Sequence, residues 1–480
     1  MAKVTQYSEN TSPSHDDILL MVNDPSGSPL TQKTKIVNLS KALGWVDVRS
    51  YGAVGDGVTD DTAAIQAAIN SLTNGGTIIF PNGTYLCNSG LTISGVSGII
   101  LKGMGANFDS VHGKATKLYF QNLGNDENGI TISDAKGISI QDIYFWADTT
   151  GGTGGSCILG KDSEGLSIER CVMSWPRGTT SYGINFGTAG VVTDCVISSE
   201  LIKVDIWCDG TPFFIGQSCT SIGLNSCYAI GGAEYGYHIS NCNYIGLYNC
   251  ASDTHGKYGY RFEAVASAGA YTCGGESCGY GAFLIDKGSS SIILSTPLGG
   301  SNNTSATANH GSLVTIGGTG NIEYDIVIIS PVDKSPNAAT TNSIYGNSGA
   351  LWTTVIGDNP TALPYRIGGN TTWRAKYLTI LGGNNNKIPK PLFLLAAEAT
   401  PSVLDGNNFL TNGTTTITHF NDGVDGQIIT IVAENTITIT DGTNIFLNGS
   451  INFAMNATDT LTLICKADGK WYELSRSDNT

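Results

Sequence analysis

Charge is scarce in this chain, and positive charge scarcer still: 14% of its 480 residues are Asp, Glu, Lys or Arg, with 25 Lys and Arg against 40 Asp and Glu and a formal net charge of -15. So few cations cannot neutralise rows of phosphates, which excludes a nucleic-acid partner. Long hydrophobic runs are missing as well. Nothing approaches the ~18 apolar residues that a membrane helix requires, so no membrane insertion is expected. Met1 to Asn10 contain no apolar segment of a secretory leader, and the chain is expected to be made and left in the cytoplasm. Histidine is rare, at six residues; no His/Cys set has zinc spacing, and no phosphate-loop or dinucleotide fingerprint occurs. Neither a metal nor a cofactor is expected.

What the chain does have is glycine, 62 of them, with abundant Ser, Thr and Asn. That composition describes many short strands joined by tight turns, an all-β protein. Repeats sharpen the reading. Tyr235-Gly236-Tyr237-His238-Ile239 recurs as Tyr258-Gly259-Tyr260-Arg261-Phe262 and as Tyr280-Gly281-Ala282-Phe283-Leu284, with an earlier copy at Tyr182-Gly183-Ile184-Asn185-Phe186. A second series, Cys219 to Cys227, recurs as Cys242 to Cys250 and continues at Cys273. A period near 23 with short alternating strands is what one turn of a parallel β-helix requires, each coil about 4.8 Å above the last. Like then stacks on like, so Cys227, Cys250 and Cys273 should form an internal ladder. The twelve cysteines are expected to be free thiols packed as small apolar groups.

Four regions are expected: residues 1–44, a polar leader with two apolar runs, Ile18 to Val22 and Lys35 to Leu39; 45–357, the solenoid; 358–390, a loop-rich linker; and 391–480, a compact antiparallel β-domain anchored by Trp471 and Tyr472. The solenoid opens with Val46-Asp47-Val48-Arg49-Ser50-Tyr51-Gly52-Ala53-Val54-Gly55-Asp56-Gly57 and a helix whose Ile65, Ala68, Ile69 and Leu72 share one face. Asp60 or Asp61 is placed to cap that helix, which would cover the open end of the solenoid. This segment and the strand Thr77 to Tyr85 resemble the entry of the pectate-lyase-like superfamily common in phage tailspike depolymerases. The Asp16-Asp17-Ile18-Leu19-Leu20 and Lys35-Ile36-Val37-Asn38-Leu39 runs are similar to the neck of phage tail proteins.

The resemblance implies a right-handed β-helix working as a homotrimer. It also implies attachment to a phage tail or baseplate protein through the N-terminal segment, a place in the virion, and a bacterial surface polysaccharide, capsule or O-antigen, as target. The terminal domain would trimerise the chain or bind sugar. Polygalacturonase-like members carry Asn-x-Asp, Asp-Asp, Gly-His-Gly and Arg-x-Lys on successive coils. Here Thr254-His255-Gly256 is a partial match, and no Arg-x-Lys or Asp-Asp stands at the corresponding place.

Hydrolysis of a glycan needs two carboxylates. Asp253 lies three residues after Cys250 and Glu276 three after Cys273, so the repeat sets them on neighbouring coils. Like charges one rung apart raise the proton affinity of one, as a general acid requires. Strand alternation turns His238 and Arg261 outward, one above the other, with Glu263 beside them. Asp205 is expected one coil earlier on that same face, with Asn185. Glu234, His255 and Trp207 complete the expected cluster. Asp205, Glu234, Asp253 and Glu276 are the candidate catalytic residues. Trp207, His238, His255, Arg261 and Glu263 are the candidate substrate contacts, Arg261 suiting a sugar carboxylate. Solvated loop residues remain the alternative for Asp253 and Glu276, and an ordinary solvated sheet face for the column of His238 and Arg261. For function, endo-hydrolysis stands against β-elimination by a lyase, with Arg261, Lys257 or a histidine as base, and against binding without cleavage.

Overall fold

The computed structural model describes residues 44–106, 115–149, 152–187, 193–300, 313–317, 326–329, 395–403 and 407–479, together with the placement of short strands between 18 and 35 and between 324 and 394. From Trp45 onward the chain winds as a solenoid whose strands stack into three parallel sheets of 11, 14 and 11 strands. Sheet A contains Tyr182–Phe186, Thr211–Gly216, Tyr235–Ser240, Tyr258–Glu263 and Gly281–Asp286; sheet B contains Val196–Ile202, Thr220–Asn225, Asn243–Tyr248, Ala266–Tyr271 and Ser290–Ser295; sheet C contains Asp205–Cys208, Tyr228–Ile230, Ala251–Asp253 and Gly274–Glu276. Each coil runs A, B, C and rises into the next A, the right-handed course that parallel crossovers take.

Register follows the repeats. Tyr235 pairs with Tyr258, and His238 with Arg261, in sheet A; Ile222 pairs with Ile245 in sheet B; Asp253 pairs with Glu276 in sheet C. The interior explains why the motif is Tyr-Gly-Tyr. Phe213, Tyr237, Tyr260 and Phe283 stack face to face, successive ring centres 4.6, 4.7 and 4.6 Å apart. A buried phenol must find an acceptor, and the Tyr237 and Tyr260 hydroxyls donate to the carbonyls of Cys227 and Cys250, both at 2.7 Å. Gly236 is required because a Cβ there would stand 2.3 Å from Ser252 Oγ. The cysteine ladder is present: the Cys227, Cys250 and Cys273 thiols are buried and donate to the carbonyls of Leu201, Leu224 and Leu247.

The corner between sheets B and C turns on one left-handed residue per coil: Lys203, Ser226, Asn249, Thr272 and Thr296 all have φ between 49 and 55°. Small polar residues tolerate that conformation best, which accounts for the Ser-Cys and Asn-Cys pairs. The helix Thr62–Asn70 buries Ile65, Ala68 and Ile69 at the start of the solenoid. Of the two capping candidates, one does the capping. Asp60 accepts the Thr62 amide N–H, whereas Asp61 is fully buried and accepts the Val54 and Gly55 amides, tying down the loop before the helix.

Two further strands extend the ladder beyond Gly357. Ile367–Gly369 joins sheet A and Leu378–Leu381 joins sheet B, so part of the expected linker is solenoid. Their short alternating pattern was concealed by the Gly- and Asn-rich stretches around them. Near the N-terminus Ile18–Val22 pairs antiparallel with Thr31–Lys35; the second apolar run, Ile36 to Leu39, lies outside the described residues. The C-terminal sheet has an antiparallel centre, Ile428–Val432 against Thr460–Cys465 against Trp471–Ser477, over its own core. Trp471 is fully buried there, its indole N–H donating to the Phe420 carbonyl at 2.9 Å.

Candidate functional site

Two outward faces of the solenoid carry the candidate residues. On sheet C they form two columns: Asp205, Tyr228, Ala251 and Gly274 in one; Trp207, Ile230, Asp253 and Glu276 in the other. Asp253 and Glu276 are therefore direct neighbours, about one coil rise of 4.8 Å apart. The Tyr228 hydroxyl donates to Asp253 Oδ2 at 3.4 Å, while Asp253 Oδ1 is enclosed and has no hydrogen-bond partner. Trp207 is 37% exposed, and Ala251, Gly274 and Gly300 leave the surface between these groups low. Burial raises the Asp205 carboxyl above its ordinary range. No cation among the described residues pairs with Asp205, Asp253 or Glu276.

Sheet A presents a different surface. His238, Arg261, Glu263 and Asp286 point away from the core, yet each side chain is less than one fifth exposed. His238 Nε2 lies 2.6 Å from Glu263 Oε2; the Arg261 guanidinium is 3.1 Å from Asp286 and 3.2 Å from Glu263; Lys287 closes on Glu263 from outside. Tyr235 lies over Arg261 at 5.0 Å and Phe214 meets the His238 ring edge-on. Burial works against charge on Glu263, but His238, Lys287 and Arg261 outweigh it and hold the carboxyl at about 2. On Asp286 the balance reverses: burial outweighs Arg261, and the carboxyl is raised. Asp286 was missed in the sequence, although it stands one repeat of 23 residues after Glu263.

Several expectations are corrected. Asp205 does not share a face with His238; Phe214 fills that column, between Asn185 and His238. The alternation of Ile202 to Ile206 matches that of the Tyr-Gly-Tyr strands of sheet A, but it spans the corner at Lys203 and delivers Asp205 to sheet C. His255 is 2% exposed and turned inward between Gly232 and Gly236, so it touches no surface ligand; burial lowers its ring to about 4, leaving it neutral. Arg261 is not free to take a sugar carboxylate, since Asp286 and Glu263 already occupy it. Glu234 pairs with Lys257 at 2.5 Å on the turns that join sheets C and A. Among the described residues no group of three or more His, Cys, Asp or Glu is arranged to hold a metal.

A family model described as rhamnogalacturonase A/epimerase, pectate lyase-like, matches residues 45–252. Over those residues the chain is similar to the pectate-lyase-like family of β-helices. The pre-neck appendage protein of Bacillus phage phi29 is 28% identical over 218 residues, covering 42% of this chain and 22% of that one. A capsule-specific depolymerase of Klebsiella phage K64-1 is 27% identical over 208 residues, 38% of this chain and 25% of its own. The chain thus spans about a quarter of these relatives' lengths. Among solved structures, the enzymatically active domain of tailspike protein 2 from bacteriophage CBA120 superposes with a TM-score of 0.51 at 12% identity, covering 98% of this chain and 78% of that chain, which shows a shared fold. The superfamily match ends at Ser252, one residue before Asp253.

Proposed function

We propose that this chain is a phage tailspike that binds a bacterial surface polysaccharide and cleaves it by endo-glycosidic hydrolysis on the sheet C face. The observation that carries the reading is the neighbouring pair Asp253 and Glu276, unpaired with any described cation, beside Trp207 and Tyr228. Carboxyl groups about 5 Å apart suit a retaining mechanism, in which one attacks the anomeric carbon and the other protonates the leaving oxygen. Asp253, steadied by the Tyr228 hydroxyl on Oδ2 and with its enclosed Oδ1 without a hydrogen-bond partner, is the nucleophile. Glu276, exposed and with a carboxylate that accepts no hydrogen bond from a described residue, is the proton donor and then the base for water. Trp207 offers an apolar face to a pyranose ring, and Asp205 lies one coil below Tyr228 for sugar hydroxyls.

The ion pairs on sheet A and on the turns leading into it weigh against β-elimination, because Arg261 and Lys257 are each engaged by carboxylates. The N-terminal segment would attach to the phage tail, and three chains would assemble into the spike. Incubating the protein with a panel of purified capsular and O-antigen polysaccharides tests the reading. A fall in the polymer's size on gel filtration, with saturated products, supports it. A polymer that is retained but never shortened would mean an adhesin.

A further inference from the structure

Sheet B carries an outward feature with no part in that chemistry. Its two outer columns are Glu200, Gly223, Gly246, Gly269 and Ile293, and Ile202, Asn225, Tyr248, Tyr271 and Ser295. The glycines are there because the tyrosines fold back over them: a Cβ at Gly246 would stand 2.8 Å from the Tyr248 ring and one at Gly269 2.4 Å from the Tyr271 ring. The two rings are parallel within 8°, centres 5.1 Å apart. One coil lower the pattern breaks. Gly223 has the open surface but Asn225 replaces the tyrosine, and a Cβ at Gly223 would meet nothing within 4 Å. The result is a notch one coil high. Tyr248, 46% exposed, forms its roof, Gly223 its floor, and the exposed Glu200 with Ile202 its lower edge.

We propose that this notch is a second, non-catalytic glycan subsite that holds one pyranose unit of the polysaccharide, a proposal that rests on the polysaccharide reading above. The coils of Tyr248 and Glu200 are two rises apart, about 10 Å, which leaves room for a sugar ring in van der Waals contact with the tyrosine face. The polar groups at its edge suit vicinal hydroxyls. The Glu200 carboxylate accepts, and Asn225, whose Oδ1 already accepts from Ser226 Oγ at 2.8 Å, keeps its amide N–H groups as donors. The notch also adjoins the proposed cleavage face. Asn225 and Tyr228 are separated only by the corner Ser226-Cys227, so a polymer lying across Asp205 and Tyr228 passes directly onto it. Binding here would hold the chain on its substrate between cuts.

The open space at Gly223 supplies a test that leaves the fold intact. The full-length protein, its Gly223→Leu variant and its Tyr248→Ala variant are applied to an array of purified bacterial capsular and O-antigen polysaccharides, with light scattering to follow assembly. Cleavage of short fragments of whichever polymer is retained is then measured. The proposal predicts that each substitution weakens retention of the long polymer about tenfold, the worth of one aromatic contact, while short-fragment turnover and assembly stay as in the parent. Equal retention by all three proteins, with cleavage intact, overturns the notch and leaves the hydrolase standing. A change in assembly with retention unchanged overturns it in favour of a contact between copies of the chain. If the parent retains no polymer at all, the polysaccharide reading fails and the notch with it.

Discussion

Sheets A and C each lift a pair of carboxylates onto the outer surface by the same device, a side chain repeated 23 residues on, yet the two pairs have opposite surroundings. Glu263 and Asp286 are buried among Arg261, His238 and Lys287, and their charge is answered within the protein. Asp253 and Glu276 face outward beside Tyr228 and Trp207 with no described cation near enough to pair. A parallel solenoid stacks like on like, so it creates columns of like charge wherever an acidic residue recurs. Where cations are interleaved, the column is sealed into the wall. Where they are left out and aromatic residues stand alongside, the column remains available to a ligand. The difference between structure and chemistry thus lies in the partners, not in the acids.

The comparison breaks most sharply under substitution of the open pair. Asp253→Asn and Glu276→Gln should each lower polysaccharide cleavage at least a thousandfold, the scale of losing a catalytic acid or nucleophile, while thermal unfolding stays within a degree or two of the parent. Arg261→Met should do the reverse. It strands Asp286 and Glu263 in a buried site and should cost about 3–5 kcal/mol of stability, read as a lower unfolding midpoint, while cleavage per folded molecule is preserved.

Acidification sharpens the same contrast in two stages. His255 has its ring lowered from 6.5 to about 4 by burial, so below the unfolded value the unfolded chain takes up the proton first. Its contribution, about 3 kcal/mol, is present above pH ~6.5 and lost as pH falls toward 4. Glu263, held at about 2, contributes a similar amount that is present above pH ~4.5 and lost as pH falls through 2. Denaturation followed against pH should show both steps, and His255→Gln should remove the first alone. The smallest effect belongs to the shared interior: Tyr237→Phe loses the hydroxyl bond to Cys227 and should cost about 1–2 kcal/mol by calorimetry.

The solenoid was legible because its period is written twice, in the Tyr-Gly-Tyr strand and in the Cys-to-Cys corner, and both registers hold to the residue. The Asp253–Glu276 pairing came from counting forward from those cysteines. What sequence hid was the direction in which a side chain leaves a corner. Alternation runs unbroken through Lys203, so Asp205 was assigned to the wrong sheet; His255 sits in a Thr-His-Gly that resembles an active-site loop but folds inward. Asp286 belongs to no motif, and only its place one repeat beyond Glu263 signalled it. The ion pairs around Arg261 depend on rotamers and burial, which no spacing states.

The most direct test follows the first products of cleavage by proton NMR. The account predicts saturated oligosaccharides whose new reducing ends appear with the anomeric configuration of the bond that was cut, and no such signal from Asp253→Asn or Glu276→Gln protein. Inverted anomers, unsaturated uronate ends, or undiminished cleavage by either variant would contradict it.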